Sequence, residues 1–166
     1  MTAATNPVDA GLAYRAALFD AAKAVHAGAE HVLVTRTFLK SAGQDMIVIG
    51  NVEGGLADDA PRSGSQRIQD WDLACDVHAY AFRAGGADAE QSADAEAFEA
   101  ASNYLSAIAE YVRRTGPEGD TTLGGTVMWC RMESFTTVPG RDQAATGVGR
   151  MWEFIGTFIA RARVTG

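Results

Sequence analysis

Asp76 and His78 stand two residues apart in a run that alternates as a strand, a spacing used by metal ligands and by acid–base pairs. Metal sites gather three or four ligands, and no second histidine lies near these two in sequence; His26 and His31 fall at a helix end and at the start of the next strand. The turns Glu53-Gly-Gly and Leu123-Gly-Gly are glycine-rich, but neither has the Gly-x-Gly-x-x-Gly or Gly-Lys-Ser/Thr order of a phosphate cradle. Ser63, Ser65 and Ser134 lack the setting of a nucleophile elbow. Cys75 and Cys130 each sit inside an expected strand and read as buried thiols rather than a disulfide or reactive pair. Trp71, Trp129 and Trp152 are of a type that lines ligand pockets, yet aromatic strand residues more often anchor a core or an interface. No catalytic, cofactor-binding or metal-binding residues are therefore assigned, no cofactor is expected, and the chain does not read as an enzyme.

Composition narrows the classes further. The chain has 166 residues, 47% apolar and 21% charged, which suits one soluble globular domain with a single core. Its net charge is −7, with only Lys23 and Lys40 as lysines, so a groove that grips phosphates is not expected. No run approaches the ~20 apolar residues of a membrane span, and the N-terminus lacks a basic region followed by an apolar one. A chain made in the cytoplasm, and leaving it only within an assembly, is the reading.

The elements follow from periodicity. Residues 1–6 read as a flexible tail. Asn6 and Pro7 open a helix over Val8 to Ala27, its apolar face drawn through Val8, Leu12, Phe19, Ala22 and Val25, with Tyr14, Arg15 and Lys23 elsewhere. His31 to Phe38 and Asp45 to Val52 read as a hairpin of two strands, followed by a polar loop from Glu53 to Gly64. Gln66 to Arg83 alternates clearly: Trp71, Leu73, Cys75, Val77, Ala79 and Ala81 on one side, Asp70, Asp72, Asp76, His78 and Tyr80 on the other. A second helix begins at Asp88 to Asp94 and carries Phe98, Ala101, Leu105, Ile108 and Val112 at helical spacing until Gly116-Pro117.

The closing stretch, Asp120 to Val164, is the unusual one. Thr126 to Phe135 and Trp152 to Val164 flank a Pro/Gly-rich loop and read as an antiparallel hairpin. Along the last strand, Met151, Glu153, Ile155, Thr157 and Ile159 face one way while Trp152, Phe154, Gly156 and Phe158 face the other, so each side carries large apolar groups and neither is wet in the manner of an ordinary antiparallel strand. One helix layer covers one side; the second cover is expected from another subunit. The order helix, three strands, helix, hairpin gives an α+β domain over 1–166, a mainly antiparallel sheet of about five strands with two helices packed on one face.

This layout, and above all Asp120-Thr-Thr-Leu-Gly-Gly-Thr-Val with the closing strand ending Ile159-Ala-Arg-Ala-Arg, resembles the tail terminator proteins of long, non-contractile-tailed phages and related gene transfer agents. The resemblance spans Val8 to Val164 and implies a homohexameric ring in the virion that caps the tail tube, ends its polymerisation and meets the head–tail connector or stopper protein. DNA would pass through its lumen without specific binding, and no membrane is involved. Interface residues expected on this reading are Trp152, Phe154, Ile155, Phe158, Ile159, Trp71 and Tyr80, and loop contacts to neighbouring rings are Asp58, Asp59, Arg62 and Arg141. Acidic segments, among them Asp58-Asp59 and Glu118-Gly-Asp, are expected to help line a channel that repels DNA. The alternatives are another neck or tail-completion protein, or a small cytoplasmic ligand-binding or enzymatic α+β oligomer that uses Asp76, His78 and the tryptophans.

Overall fold

The computed structural model describes residues 4, 6–37, 44–57, 68–85, 90–116, 118–140 and 149–165. In chain order the elements are α1 (Pro7–Val25), β1 (Val32–Thr35), β2 (Asp45–Leu56), β3 (Ile68–Ala84), α2 (Glu90–Arg113), the short pair β4 (Thr115–Gly116) and β5 (Gly119–Asp120), then β6 (Trp129–Gly140) and β7 (Gly149–Thr165). Strands β3 and β7 pair antiparallel without a break from Ile68↔Thr165 to Ala84↔Gly149 and form the spine of a five-stranded sheet in the order β1-β2-β3-β7-β6. The fold is α+β, as the sequence implies.

Alternation sorts the spine into two faces. Leu73, Cys75, Val77, Ala79 and Ala81 of β3 join Phe154, Phe158, Ala160, Ala162 and Val164 of β7 in the core, beneath both helices. Several of these groups are small, which lets α2 approach closely. Gly156 shows how closely: a Cβ there would stand 2.8 Å from Leu105 Cδ1 and 3.2 Å from Met132 Sδ. Ala97, Ala101, Leu105, Ile108 and Val112 form the buried stripe of α2. The other face of the sheet has no layer over it among the described residues.

Three expectations are corrected. The strands β1 and β2 are not a hairpin but a parallel pair, with Val32 opposite Asp45. At their shared starting end His31 and Asp45 both contact the hydroxyl of Tyr104. The expected loop from Glu53 begins as strand: β2 continues to Leu56 after a bulge between Ile49 and Val52, which restores the alternation that the glycines obscure. Finally, α1 is rotated from the expected face. Its buried residues are Ala10, Gly11, Tyr14, Leu18, Ala21 and Ala22, whereas Val8 and Leu12 are 71% and 62% exposed.

Of the expected tail, residues 1–3 and 5 lie outside the described residues. Ala4 bridges Val164 in parallel, with Thr165 N–H donating to the Ala4 carbonyl at 3.1 Å, and the Asn6 side chain caps α1 by accepting from Asp9 N–H at 2.9 Å.

Phe158 is fully buried beneath the helices. Truncation to Ala is expected to cost about 3–5 kcal/mol of folding stability, the usual result of emptying a large core site. Urea unfolding of Phe158→Ala at a concentration where the chain is monomeric measures this; an unchanged midpoint would contradict the packing.

Candidate functional site

The uncovered sheet face gathers most of the residues singled out by chemistry. Along β3 it carries Asp70, Asp72, Ala74, Asp76, His78, Tyr80 and Phe82, opposite Arg163, Arg161, Ile159, Thr157, Ile155, Glu153 and Met151 of β7. Asp70 and Asp72 are not simply solvated: Arg163 and Arg161 grip them with paired contacts of 2.9 and 3.1 Å and of 2.8 and 3.1 Å. The bond from Arg163, before any other influence, holds the Asp70 carboxyl below its ordinary range. These solvent-screened pairs tie β3 to β7 in register and add little to stability.

Asp76 and His78 share this face but do not converge. Asp76 accepts from the Thr157 hydroxyl at 2.8 Å, while His78 Nδ1 reaches Glu153 Oε1 at 2.6 Å. The Tyr80 hydroxyl donates to that same Glu153 oxygen at 2.6 Å, and its ring stacks on His78 with 6.2 Å between centroids. Burial pushes Glu153 upward, but the two donors outweigh it and keep the carboxyl below its usual range. Burial, then the bond to Glu153, pushes the Tyr80 hydroxyl well above its usual value. Among the described residues no three His, Cys, Asp or Glu side chains are placed to hold a metal ion. A cavity of about 510 Å³ beside the pair is lined by Arg15, Arg36, Asp76, His78 and Thr157 among others.

A second cluster, which the sequence reading missed, lies at the starting end of β1 and β2. Asp45 is 4% exposed and accepts from Arg83 Nη1 at 2.9 and 3.0 Å, from Phe82 N–H at 2.9 Å and from the Tyr104 hydroxyl at 2.6 Å. Because that single hydroxyl proton goes to Asp45, Tyr104 accepts from His31 Nε2–H at 3.1 Å, and its backbone carbonyl accepts from His26 Nε2–H at 3.2 Å. Burial, then the contact with Asp45, pushes the Tyr104 hydroxyl up to about 12. Two histidines thus tie the turn between α1 and β1 to α2. Sequence spacing offered no signal, since the members are drawn from four separate segments.

The glycine motif is a capped loop. Asp120 accepts from Thr122 N–H and its hydroxyl at 2.8 and 2.7 Å and from Gly124 N–H, while Leu123, Gly124 and Gly125 hold φ of 49°, 70° and 77°. Glycine adopts that left-handed backbone freely; Leu123 does so with its side chain buried in the core. The bond from Thr122, ahead of the other influences, keeps Asp120 ionised below the usual range. Glu118 meets Arg114 at 3.2 Å, so both acids of Glu118-Gly-Asp have neighbours within the chain.

The cysteines are buried and free, and burial pushes their thiols up to about 12 at Cys75 and about 11 at Cys130, the opposite of an activated nucleophile. The three tryptophans sit apart. Trp129 lies on the open face between Arg131 and Arg161, whose guanidinium carbons are 5.4 and 5.8 Å from its ring centroid. Trp71 faces α1 with a buried indole N–H that has no hydrogen-bond partner among the described residues. Trp152 bonds Asp94 at 3.1 Å and meets Phe98 edge to face.

The seven expected interface residues divide accordingly. Ile155, Ile159 and Tyr80 lie half-buried on the open face, Trp71 and Trp152 lie half-buried on opposite flanks of the covered face, and Phe154 and Phe158 are buried in the chain's own core. Asp58, Asp59, Arg62 and Arg141 lie outside the described residues. No helix is long and apolar enough to cross a membrane.

Among solved structures, the chain is similar to one from a virion of a native gene transfer agent particle, at 13% identity and a TM-score of 0.42, covering 90% of this chain and 93% of that one. No protein-family model and no curated protein matches the chain.

The His26 contact has a consequence for acid stability. Burial lowers the pKa of His26 from 6.5, partly opposed by its bond to Tyr104, so the unfolded chain takes up the proton first. Stability contributed by neutral His26 is present above pH 6.5 and is lost as pH falls from there through the lowered folded value. Thermal melts stepped down from pH 7.5 are expected to show this slope before the carboxylates titrate, and His26→Gln is expected to flatten it; an equal slope in both would remove His26 as its source. Asp45→Asn, which leaves Arg83 without its counter-charge, is expected to lower stability by about 1–3 kcal/mol at neutral pH in urea titrations.

Proposed function

We propose that this chain is a structural component of a virion, a tail terminator whose copies close into a six-membered ring at the end of the tail tube. The observation that supports the reading is the uncovered sheet face. On β7, Met151, Ile155 and Ile159 lie half-buried between Glu153 and Thr157, with no second layer among the described residues. Half-buried aliphatic groups on an uncovered face suit association, and a ring provides a neighbour for each subunit without leaving an end.

On this reading the tail tube protein lies on one side of the ring and the head–tail connector or stopper protein on the other, with Asp58, Asp59, Arg62 and Arg141 contributing contacts. DNA passes through the lumen without being gripped, consistent with a net charge of −7. Another neck position in the particle would use the same surfaces.

One observation favours a second reading, a small-ligand-binding oligomer: the cavity beside Asp76 and His78 lies within the size range of ligand sites. Metal analysis and a thermal-shift screen separate the two. Stoichiometric metal or strong stabilisation by a small molecule would favour the ligand site.

The double variant Ile155→Ser/Ile159→Ser changes only half-exposed positions, so it is expected to fold and to sediment as monomer where the parent sediments as a ring. Analytical ultracentrifugation decides; rings of unchanged size in the variant would defeat the role given to this face.

A further inference from the structure

The cavity of about 510 Å³ beside His78 is lined by charges of both signs that do not meet. Arg15 reaches it from α1 and Arg36 from the residue after β1, while Glu53 of β2 and Asp76 of β3 line it from the sheet. Arg15 bonds only to backbone: its Nε donates to the Gly50 carbonyl at 2.7 Å, and its Nη2 to the carbonyls of Arg36 and Ile49 at 2.7 and 3.0 Å. The guanidinium of Arg36 lies over the Phe19 ring, 4.3 Å from its centroid. Among the described residues neither guanidinium pairs with a carboxylate. The Asp76 carboxylate accepts from the Thr157 hydroxyl at 2.8 Å, and Glu53 has no ion-pair partner among the same residues.

Elsewhere on this face opposite charges close onto each other, as Asp70 does on Arg163 and Asp72 on Arg161. At the cavity they are neighbours in the fold and yet stay apart, with Gly50 between them. Arg15 holds the Gly50 carbonyl, and a Cβ built on Gly50 would stand 3.6 Å from Asp76 Cβ. Glu53 pairs with Ala74, two residues from Asp76 along β3, which makes the two acids diagonal neighbours at about 7–8 Å. Val48, Gly50 and Ala74 contribute only small or apolar surface to the lining. His78 and Glu153 pair with each other at 2.6 Å and stand outside this arrangement.

We propose that this cavity binds a small dipolar solute, a free α-amino acid, with its carboxylate on Arg15 and Arg36 and its ammonium on Asp76 and Glu53. The proposal rests on the ligand-site reading of the cavity and names the ligand class. A simple anion placed here would meet two uncompensated carboxylates, and a simple cation would meet two guanidinium groups. A ligand carrying both signs satisfies all four. The Nη1 donors of Arg15 carry no bond among the described residues, and a guanidinium presents such donors in the fork that a carboxylate matches. The volume lies within the range of small-ligand sites.

Calorimetric titration of the full chain with each free L-amino acid, beside a thermal-shift screen that includes metal ions and uncharged solutes, tests the assignment. At least one amino acid is expected to bind at one site per chain. Its N-acetyl derivative, which lacks the ammonium, and its carboxamide, which lacks the carboxylate, are each expected to bind on the order of tenfold more weakly. Arg36→Gln and Glu53→Gln change exposed side chains, so both are expected to fold as the parent does and to weaken binding by a similar factor. Blocked derivatives that bind as tightly as the free amino acid, or variants of unchanged affinity, would overturn the proposal. Stabilisation by a metal ion or an uncharged solute, with every amino acid inert, would overturn the ligand class and leave the ligand-site reading standing. No response to any compound would overturn both.

Discussion

The seating of α1 on the sheet depends on two adjacent polar side chains that reach backbone carbonyls beside the sheet's two bulges. Tyr14 donates its hydroxyl to the Phe158 carbonyl at 3.0 Å, next to the irregularity between Met132 and Ser134 in β6. Arg15 donates to the carbonyls of Gly50 and Ile49 at 2.7 and 3.0 Å, at the bulge of β2, and to that of Arg36 at 2.7 Å. Carbonyls beside a disrupted ladder need donors, and an unmade bond there costs about 1–3 kcal/mol, comparable with the burial of an aliphatic side chain. The helix therefore turns Tyr14 and Arg15 to the sheet and leaves Val8 and Leu12 outside. Burial raises the Tyr14 hydroxyl far above its usual value, so it remains a donor at any ordinary pH.

That rotation shapes the surface. Val8 and Leu12 facing outward line a cavity with Trp71. On the far flank, Phe98 and Phe135 stand exposed beside Phe154. The open sheet face carries Met151, Ile155 and Ile159 among polar groups and an Asp–Arg ladder at one end that ties β3 to β7.

Much of the sheet was legible because alternation survives wherever a strand has one dry face. Trp71 to Ala81 and Phe154 to Val164 sort correctly by parity, and the buried cysteines follow from it. In α2 the apolar stripe of Ala101, Leu105, Ile108 and Val112 is read correctly by a period of 3.6. The rule fails in α1, where hydrogen bonds outrank the aliphatic stripe, and in β2, where Gly50 and Asn51 interrupt the parity. A Cβ at Gly50 would stand 2.8 Å from the Asp76 carbonyl oxygen, so the residue that conceals the strand in the sequence is the one the bulge requires. The cluster of Asp45, Arg83, Tyr104, His26 and His31 left no trace in local spacing.

The sequence by itself determined the α+β class, the long central strands, the inert thiols and the lack of a motif for chemistry, because each depends on local periodicity or on which residue types are present. Only the tertiary structure decided which face of α1 is dry, that β1 runs parallel to β2, and that Asp76 and His78 go to separate partners. Those outcomes involve hydrogen bonds and strand pairings between segments far apart in the chain, whose energies rival local preference and whose partners no window of sequence contains.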